Sequence, residues 1–531
     1  MQQVSQSWKD VHKQTLLNES FVEISLDIAD PDSIKDASAS ANGSVYISDT
    51  PEVVSEVDTA TIPYGTLEQN IYLLDGSRKH IPETDYKDGG YIGDVLSNEE
   101  CIFDTKVPII TIDFSVVHTK IIPGITITWG TAYNEYASHF IVTAYNNDTI
   151  VAEKEVVDNT SITSILTMDI TNYNRITIRI LGWCLPNRRA RVDEIFIGLN
   201  KVYTKKDLMS FKHSQTVDPI STSLPKMEIK FSIDNSDNSY NPYNLNGLAK
   251  YITERQELKT RYGLKLNNNT VEWIKGGTFY LSEWYAKQNG ISAEFVARDL
   301  LEFMSDIYRD NVSTIAERSL GELAELVLNA ANLPLQSNGN PKWVIDSSLY
   351  DIKTNAILPE DTSANCLQMI ANAGRCVIYP DRDGILQIKP INSTNTDYSI
   401  NQFNSYSKSE ITFSKLIKQV VVKVYTYTVE NNEISINTQD YSLTKGDVGE
   451  TVTIDNPLVT NTTLANSLGE WAYDYLKNRI TIKSENRADV RLDALDIISN
   501  ENDYATNDVR MTNVEFSFNG AFRCKNEGRV I

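Results

Sequence analysis

The sequence has little of what marks a membrane, secreted or metal-binding protein. No apolar run approaches the roughly 20 residues of a spanning helix, and the N-terminus shows no charged, apolar, small-residue leader, so Sec export is not expected. Only five cysteines occur in 531 residues. At positions 101, 184, 366, 376 and 524 they are odd in number and too scattered for a metal knuckle, which is the pattern of buried free thiols in a reducing cytoplasm. The five histidines, His12, His80, His118, His139 and His213, are equally dispersed. There is no H-E-x-x-H, no G-x-S-x-G, no phosphate-cradling Gly-rich loop with Lys, and no Cys/His spacing fit for zinc. No catalytic residue, metal site or cofactor is therefore expected. With 71 acidic residues, some carboxylate pairs must fall at glycosidase spacing by chance, and such a pair alone carries no weight.

Positive charge is also scarce. The 49 Lys and Arg against 71 Asp and Glu leave a formal net charge of −22, which argues against a general nucleic-acid binder and suits a surface that DNA passes without sticking. The one dense basic cluster, Arg188-Arg189-Ala190-Arg191, runs straight into Asp193-Glu194 and reads as a salt-bridged strand edge.

What the chain does have is alternation. Between Leu224 and Gly263, the residues Met227, Ile229, Phe231 and Ile233 alternate with Glu228, Lys230 and Ser232, the period of a strand with one buried and one wet face. The run Asp234-Asn235-Ser236-Asp237-Asn238-Ser239 ends it, because these side chains bond their own backbone and tolerate left-handed conformations. A short helical passage, Leu248 to Ile252, leads to a return strand from Glu257 to Tyr262, making one corner of a small barrel. A calcium loop is the weaker reading of 234–245, since Ser239 and Leu245 occupy the places of the required Gly and bidentate Glu.

The order FSIDNSDNSYNP, NLNGLAKYITERQELKTRYG, GGTFYLSEWYAKQNGISAEFVARDLLEFM resembles the ring domain of baseplate hub proteins of tailed bacteriophages, particularly those in prophages of Gram-positive bacteria. DRDGILQI (381–388) resembles a further hub segment. The resemblance implies a homotrimeric structural protein at the tail tip, in contact with the distal tail or tail tube, the tape measure and a spike or fibres, with DNA only as cargo passing its lumen.

At about 150 residues per domain, the length makes three or four domains. Residues 1–26 hold a polar start and the strand Phe21–Leu26. From 27 to 200, short strands separated by Asn42-Gly43, Asp75-Gly76, Asp88-Gly89-Gly90 and Asn146-Asn147-Asp148 suggest a sandwich, with strands at 110–114, 125–129, 140–145 and 176–180. TLEQNIYLLDGS (66–77), GITITWG (124–130), HFIVTAYNNDTIV (139–151) and PNRRARVDEIFIG (186–198) resemble a discoidin-like jelly roll, the fold of many carbohydrate-binding modules. Trp129 is in phase with buried strand positions and, like Trp183 and Cys184, belongs to the core. Tyr133 and Tyr136, just beyond a strand end, are the candidate glycan-stacking rings, or plain surface. Because the strand at 21–26 precedes this unit and its barrel partners follow, the sandwich reads as an insertion whose two ends lie close together.

Residues 201–300 complete the first barrel. Between 301 and 405, Ser319-Leu320-Gly321-Glu322 is a capping box opening a helix with Leu320, Leu323, Val327 and Ala330 on one face. A second helix spans about 363–373 with Gly374 as its stop, and a hairpin turns through Asp381-Arg382-Asp383-Gly384, where turn chemistry accounts for both aspartates. Residues 406–531 return to β, with a helix over 462–478 and strands at Asp489–Leu492 and Val514–Phe518. By resemblance to hubs this is a second ring barrel, closing near Ile531 with no room left for the enzymatic extension many hubs carry. The fold expected is therefore mainly β with an α+β domain: two hub ring-type barrels, an inserted jelly roll, and a small helical unit. The function expected is a trimeric baseplate hub whose jelly roll binds a host surface polysaccharide or braces a neighbouring subunit. The alternative is a cell-wall or capsule polysaccharide-degrading enzyme with a targeting jelly roll.

Overall fold

A computed structural model describes residues 1–14, 18–54, 89–286, 290–310, 315–336, 340–392, 395–430 and 433–531. The protein is mainly β, with several sheets and few helices. No helix among the described residues is long and apolar enough to cross a membrane.

Helix α1 (Gln6–His12) is capped by the Ser5 side chain, which accepts from the Trp8 N–H, and it buries Trp8 and Val11. Strand β1 (Ser20–Ala29) shows the strict alternation of burial its sequence dictates. The chain then leaves this sheet through α2 (Pro31–Asp36), and its described residues next build the antiparallel strands β2 (Ser38–Ala41), β3 (Tyr91–Leu96), β4 (Ile109–His118), β5 (Ile122–Trp129), β6 (Ala137–Asn146), β7 (Thr149–Val156), β8 (Thr163–Ile170), β9 (Tyr173–Trp183) and β10 (Arg189–Phe196). They form two sheets, β2-β4-β9-β6-β7 and β3-β10-β5-β8. The inward residues of both, including Ile110, Ile112, Ile125, Ile127, Phe140, Val142, Ile176 and Ile178, make one core, as in a sandwich of two packed sheets. The four strands expected here fall within β4, β5, β6 and β9. TLEQNIYLLDGS, Asp75-Gly76, Asp88 and His80 lie outside the described residues.

The chain re-enters the first sheet at β11 (Gly198–Tyr203), where Gly198 is the register partner of Ala29. Gly198 has a φ of 153°, and a Cβ there would meet the Ile28 carbonyl oxygen at 2.5 Å, so the re-entry point has room for glycine alone. Strands β12 (Leu208–Thr216), β13 (Lys226–Asp234), β14 (Glu257–Lys265), β15 (Val271–Ala286) and β16 (Ser292–Arg298) follow. The sandwich is also tied sideways to this unit, since Lys250 Nζ donates to Asp169 at 2.8 Å and the Tyr251 hydroxyl bonds the same carboxylate.

The next layer is helical. Two-residue ladders pair β17 (Ile307–Tyr308) with β21 (Asp361–Thr362), and β18 (Arg318–Ser319) with β20 (Lys353–Thr354). They frame α3 (Leu320–Ala330), α4 (Ser348–Asp351) and α5 (Ser363–Ala373), beside a sheet of β19 (Trp343–Ile345), β22 (Val377–Pro380) and β23 (Leu386–Lys389). The capping box of α3 is formed reciprocally: the Glu322 N–H donates to Ser319 Oγ at 3.1 Å and the Ser319 N–H to Glu322 Oε2 at 2.7 Å.

Beyond it come β24 (Asn395–Ile400), β25 (Glu410–Phe413), β26 (Ile417–Glu430), β27 (Glu433–Thr444), β28 (Glu450–Ile454), α6 (Thr462–Leu476), β29 (Ile480–Arg487), β30 (Ile497–Glu501), β31 (Thr506–Phe518) and β32 (Phe522–Val530). Three findings differ from the sequence reading. The strands of the two expected barrels belong to a single 13-stranded sheet, β11-β1-β14-β15-β16-β13-β12-β31-β32-β29-β25, with β24 and β30 branching from β31, and their buried side chains form one cluster. Within the last part, β26, β27, β28 and α6 stand apart with their own small core of Val420, Val422, Leu464 and Leu468. Finally, Asp489–Leu492 is a turn and not a strand. Its apolar alternation has another origin: Val490 and Leu492 are buried, and so are Asp489 and Arg491, which satisfy each other at 2.6 Å rather than facing water.

Trp129 tests the independence of the sandwich core. It is 0% exposed, donates from Nε1 to Ser164 Oγ at 2.8 Å and meets Phe140 edge-on at 4.9 Å. Trp129→Ala should cost about 3–5 kcal/mol. In hydrogen-exchange mass spectrometry it should strip protection from β3–β10 while β12–β16 keep theirs; loss of protection in both would show a shared cooperative unit.

Candidate functional site

The two candidate rings stand on the segment joining β5 to β6. Gly130 opens a 3-10 turn, Thr131–Tyr133, closed by Asn134 in the left-handed region (φ 56°), a conformation asparagine tolerates. Asp193 holds the turn from outside, accepting from the Thr131 N–H at 2.7 Å. Tyr133 and Tyr136 are both half-buried. Tyr133 packs on Ile47 and Ile92, whereas Tyr136 packs against the main sandwich core and is tied to Cys184, whose N–H donates to the Tyr136 carbonyl at 3.0 Å and whose Sγ accepts from the Tyr136 N–H at 3.3 Å.

Between the two tyrosines lies the residue that organises the site. Glu135 is buried and accepts from Arg188 Nε at 2.8 Å, Arg191 Nη1 at 3.4 Å and Trp183 Nε1 at 3.0 Å. Arg188 is fully buried and Arg191 nearly so. Their guanidinium carbons lie 5.6 and 4.5 Å from the Tyr133 ring centroid, within range of a cation–π interaction. Two members of the basic cluster that reads in sequence as a salt-bridged edge, Arg188 and Arg191, are thus interior residues, and their shared carboxylate comes from a residue more than fifty positions away. Removing one partner from such a set strands charge in the interior. The arrangement fixes the Tyr133 ring by its charged neighbours and leaves the tyrosine pair at the end of the sandwich.

Sequence reasoning missed a second polar region. A cavity of about 620 Å³ opens where β12, β15, the β22–β23 hairpin and the turn after β29 converge. Arg382, on that hairpin, reaches across it: Nε donates to Asp493 at 2.7 Å, Nη1 to the Lys275 carbonyl at 2.7 Å, and Nη2 to the Val490 carbonyl at 2.8 Å. One guanidinium therefore joins three distant segments. His213 Nδ1 lies 2.7 Å from the Tyr262 hydroxyl; burial, with Arg382 nearby, pushes its pKa down to about 3, so it is neutral at ordinary pH. Asp299 accepts from the Met227 and Leu301 N–H groups at 3.0 and 2.8 Å, and burial pushes its pKa up to about 7. The nearest signal in sequence was the Asp381-Arg382-Asp383-Gly384 turn, which shows a turn but not what its arginine reaches.

The remaining candidates have local roles. Asp234 and Asp237 accept from Ser236 and Ser239 two residues on, and Asn235 Oδ1 from the Tyr240 N–H, so the DNSDNS run is a chain of Asx turns. Asp381 likewise accepts from the Asp383 and Ile385 N–H groups. The histidines outside the cavity sit with separate partners: His12 near Asp489, His118 with Asp30 and Asp36, His139 with Glu155. All five cysteines are free; Cys366, Cys376 and Cys524 are buried, Cys101 and Cys184 half-buried. Among the described residues no group of three or more His, Cys, Asp or Glu is placed to hold a metal ion.

No protein-family model matches the chain, and no curated protein matches it. Among solved structures it is similar to the 43 kDa tail protein of prophage MuSo2 from Shewanella oneidensis, with 12% identity and a TM-score of 0.42 over 62% of this chain and 94% of that one. It is similar to the tail protein from Neisseria meningitidis MC58 at 11% identity and a TM-score of 0.41, over 62% and 93%. It is also similar to the prophage tail protein gp18 from Listeria monocytogenes EGD-e at 12% identity and a TM-score of 0.39, over 63% and 91%.

His213 and Asp299 make opposite contributions to acid stability. For His213 the folded pKa lies below the ordinary value of 6.5, so the unfolded chain binds the extra proton and stability is lost as pH falls from about 6.5 toward 3. For Asp299 the folded pKa lies above 3.8, so stability is lost as pH rises from about 4 through 7. Denaturant midpoints measured between pH 4 and 6.5 should rise less steeply with pH in His213→Leu and more steeply in Asp299→Asn than in the parent chain. Parallel slopes in all three would mean that neither group titrates differently on folding.

Proposed function

We propose that this chain is a structural, non-enzymatic protein of the tail tip of a tailed phage or phage-derived particle: a baseplate hub that assembles as a homotrimer around the DNA path. The observation that carries the reading joins sequence and fold. The three segments resembling a hub ring domain fold into β13, β14, β15 and β16, which are consecutive neighbours in one sheet, and that sheet continues through β12 and β31 into a second set of strands. One subunit would thereby supply two ring segments, and three subunits would match a six-fold tail tube, with the other tail proteins as axial partners. A ring of identical head-to-tail contacts closes on itself without free ends.

The sandwich, residues 27–200, is on this reading an autonomous module displayed outside the ring, and Tyr133 and Tyr136 are its contact residues for a host cell-surface polysaccharide. Support comes from two half-buried rings at one end of the sandwich, one of them fixed by the Arg188–Glu135–Arg191 group. Three copies per particle make even millimolar single-site affinity useful through effective concentration.

One deletion tests both halves. Leu26 and Lys201 are register partners across β1 and β11, so a short Gly/Ser turn between them should close a hairpin in place of the module. Particles carrying it should image with three copies at the tail tip and should fail to adsorb to purified host polysaccharide. Dimeric or six-fold stoichiometry would overturn the hub; adsorption equal to that of the parent would remove the glycan. Within the intact protein, Tyr136→Ala should weaken adsorption at least tenfold with protection of β3–β10 unchanged, and unchanged adsorption would clear that ring of any role.

A further inference from the structure

Several buried and half-buried arginines of this acidic chain find carboxylates: Arg318 meets Asp310, Arg382 meets Asp493, Arg491 meets Asp489 and Asp397, and Arg298 meets Glu228, Glu283 and Glu302. Two arginines of the last hairpin are set against each other instead. The β31–β32 register sets Arg510 directly opposite Arg529. Both project from the face turned away from the core, because the flanking Val509 and Met511 are buried in it. Like charges in directly opposed positions of an antiparallel pair repel and destabilise it.

The end of α6 lies over this pair. Arg529 has its guanidinium carbon 4.7 Å from the Tyr475 ring centroid and donates from Nη1 to the Leu476 carbonyl at 3.4 Å. That contact is explained by the negative end of the helix. Arg510 has no such explanation. Its Nε is buried without an acceptor, as are those of Arg191, Arg318, Arg375 and Arg487, and burial holds its guanidinium below the usual value, with the neutral Tyr475 hydroxyl nearby. Asp218 and Glu527 influence Tyr475, while among the described residues neither arginine forms an ion pair. What sets Arg510 apart is that the residue opposite it in the ladder carries a charge of the same sign. Two adjacent guanidiniums fit one oxyanion, since each presents a planar fork of N–H groups matched to carboxylate or phosphate oxygens.

We propose that Arg510 and Arg529, with Tyr475 beside them, form an oxyanion site that seats one phosphate or carboxylate group. The site is independent of the hub reading. Two sources share this chemistry: free inorganic phosphate, and the carboxylate of an acidic side chain on an adjoining protein. Binding in either case replaces repulsion between the two arginines with attraction to a common anion.

The test uses the full chain at constant ionic strength, with chloride as the reference salt and two probes: inorganic phosphate and the blocked dipeptide acetyl-Glu-Glu-amide. Calorimetric titration should show saturable binding of one of them, one per chain. Arg510→Gln and Arg529→Gln should each weaken it at least tenfold, and Arg510→Lys should fall between. Arg309→Gln, which removes an exposed arginine paired with Glu360, should leave it unchanged. Phosphate binding assigns the free ion, whereas dipeptide binding alone assigns a protein carboxylate. In chloride, Arg510→Gln should melt no lower than the parent, because it removes an opposed charge. The proposal is overturned if neither probe saturates, if affinity survives Arg510→Gln, or if that variant melts well below the parent in chloride, which would make Arg510 a structural residue.

Discussion

The rest of the structure depends on one ladder, in which Phe211 to Thr216 pair with Phe518 to Asn513. These residues lie some three hundred positions apart, with a helical layer and a hairpin sheet between them in the chain. Their pairing turns two sets of strands into one sheet and brings two apolar interiors into contact. At the seam His213 stands opposite Phe516, and Tyr262 contacts both Phe516 and Phe522 at 6.3 and 5.2 Å. A neutral histidine suits this place. It offers a polar atom to Tyr262 without bringing a charge that the surrounding rings could not solvate.

The polar cavity beside the seam follows from the same junction. Three segments that arrive from different parts of the chain cannot share one regular ladder, so their carbonyl groups need another donor. Arg382 supplies it, with a fixed fork of N–H groups directed at two backbone carbonyl segments and one carboxylate. Lysine could not make these contacts together. The ion pairs here do not make a large net contribution to stability, because desolvation offsets much of their attraction. They fix which segments meet.

Much of the local structure was legible in the sequence, for reasons that are local. Ser319 and Glu322 announce the start of α3 because the two bonds they exchange need no other part of the chain. Gly374 marks the end of α5, and the alternation in β1 and β13 predicts their buried faces. The Asx turns after β13 were read from the residues that form them. What could not be read depends on partners remote in sequence. Nothing near Arg188 announces that Glu135 will neutralise it, nor does anything near Phe211 name Phe518. The turn at Asp489–Leu492 misled because a self-paired Asp and Arg imitate the polar half of a strand. Tyr133 and Tyr136 were found as aromatics after a strand end, but that signal could not tell that one is held against arginines and the other against the core.

The way the sandwich is attached has a mechanical consequence. Its two connections leave the large sheet at Ala29 and Gly198, which are neighbours in the same ladder, so a pull on the sandwich draws β1 and β11 in the same direction and does not drag one past the other. The load passes instead to the ladder between β1 and β14, where Ser20 to Leu26 face Leu264 to Leu258. A force along the strand axis shears that ladder, stretching its hydrogen bonds side by side rather than one after another. The attachment is thus built like a lap joint, resisting tension along the strands and yielding more readily to a force that peels the edge away.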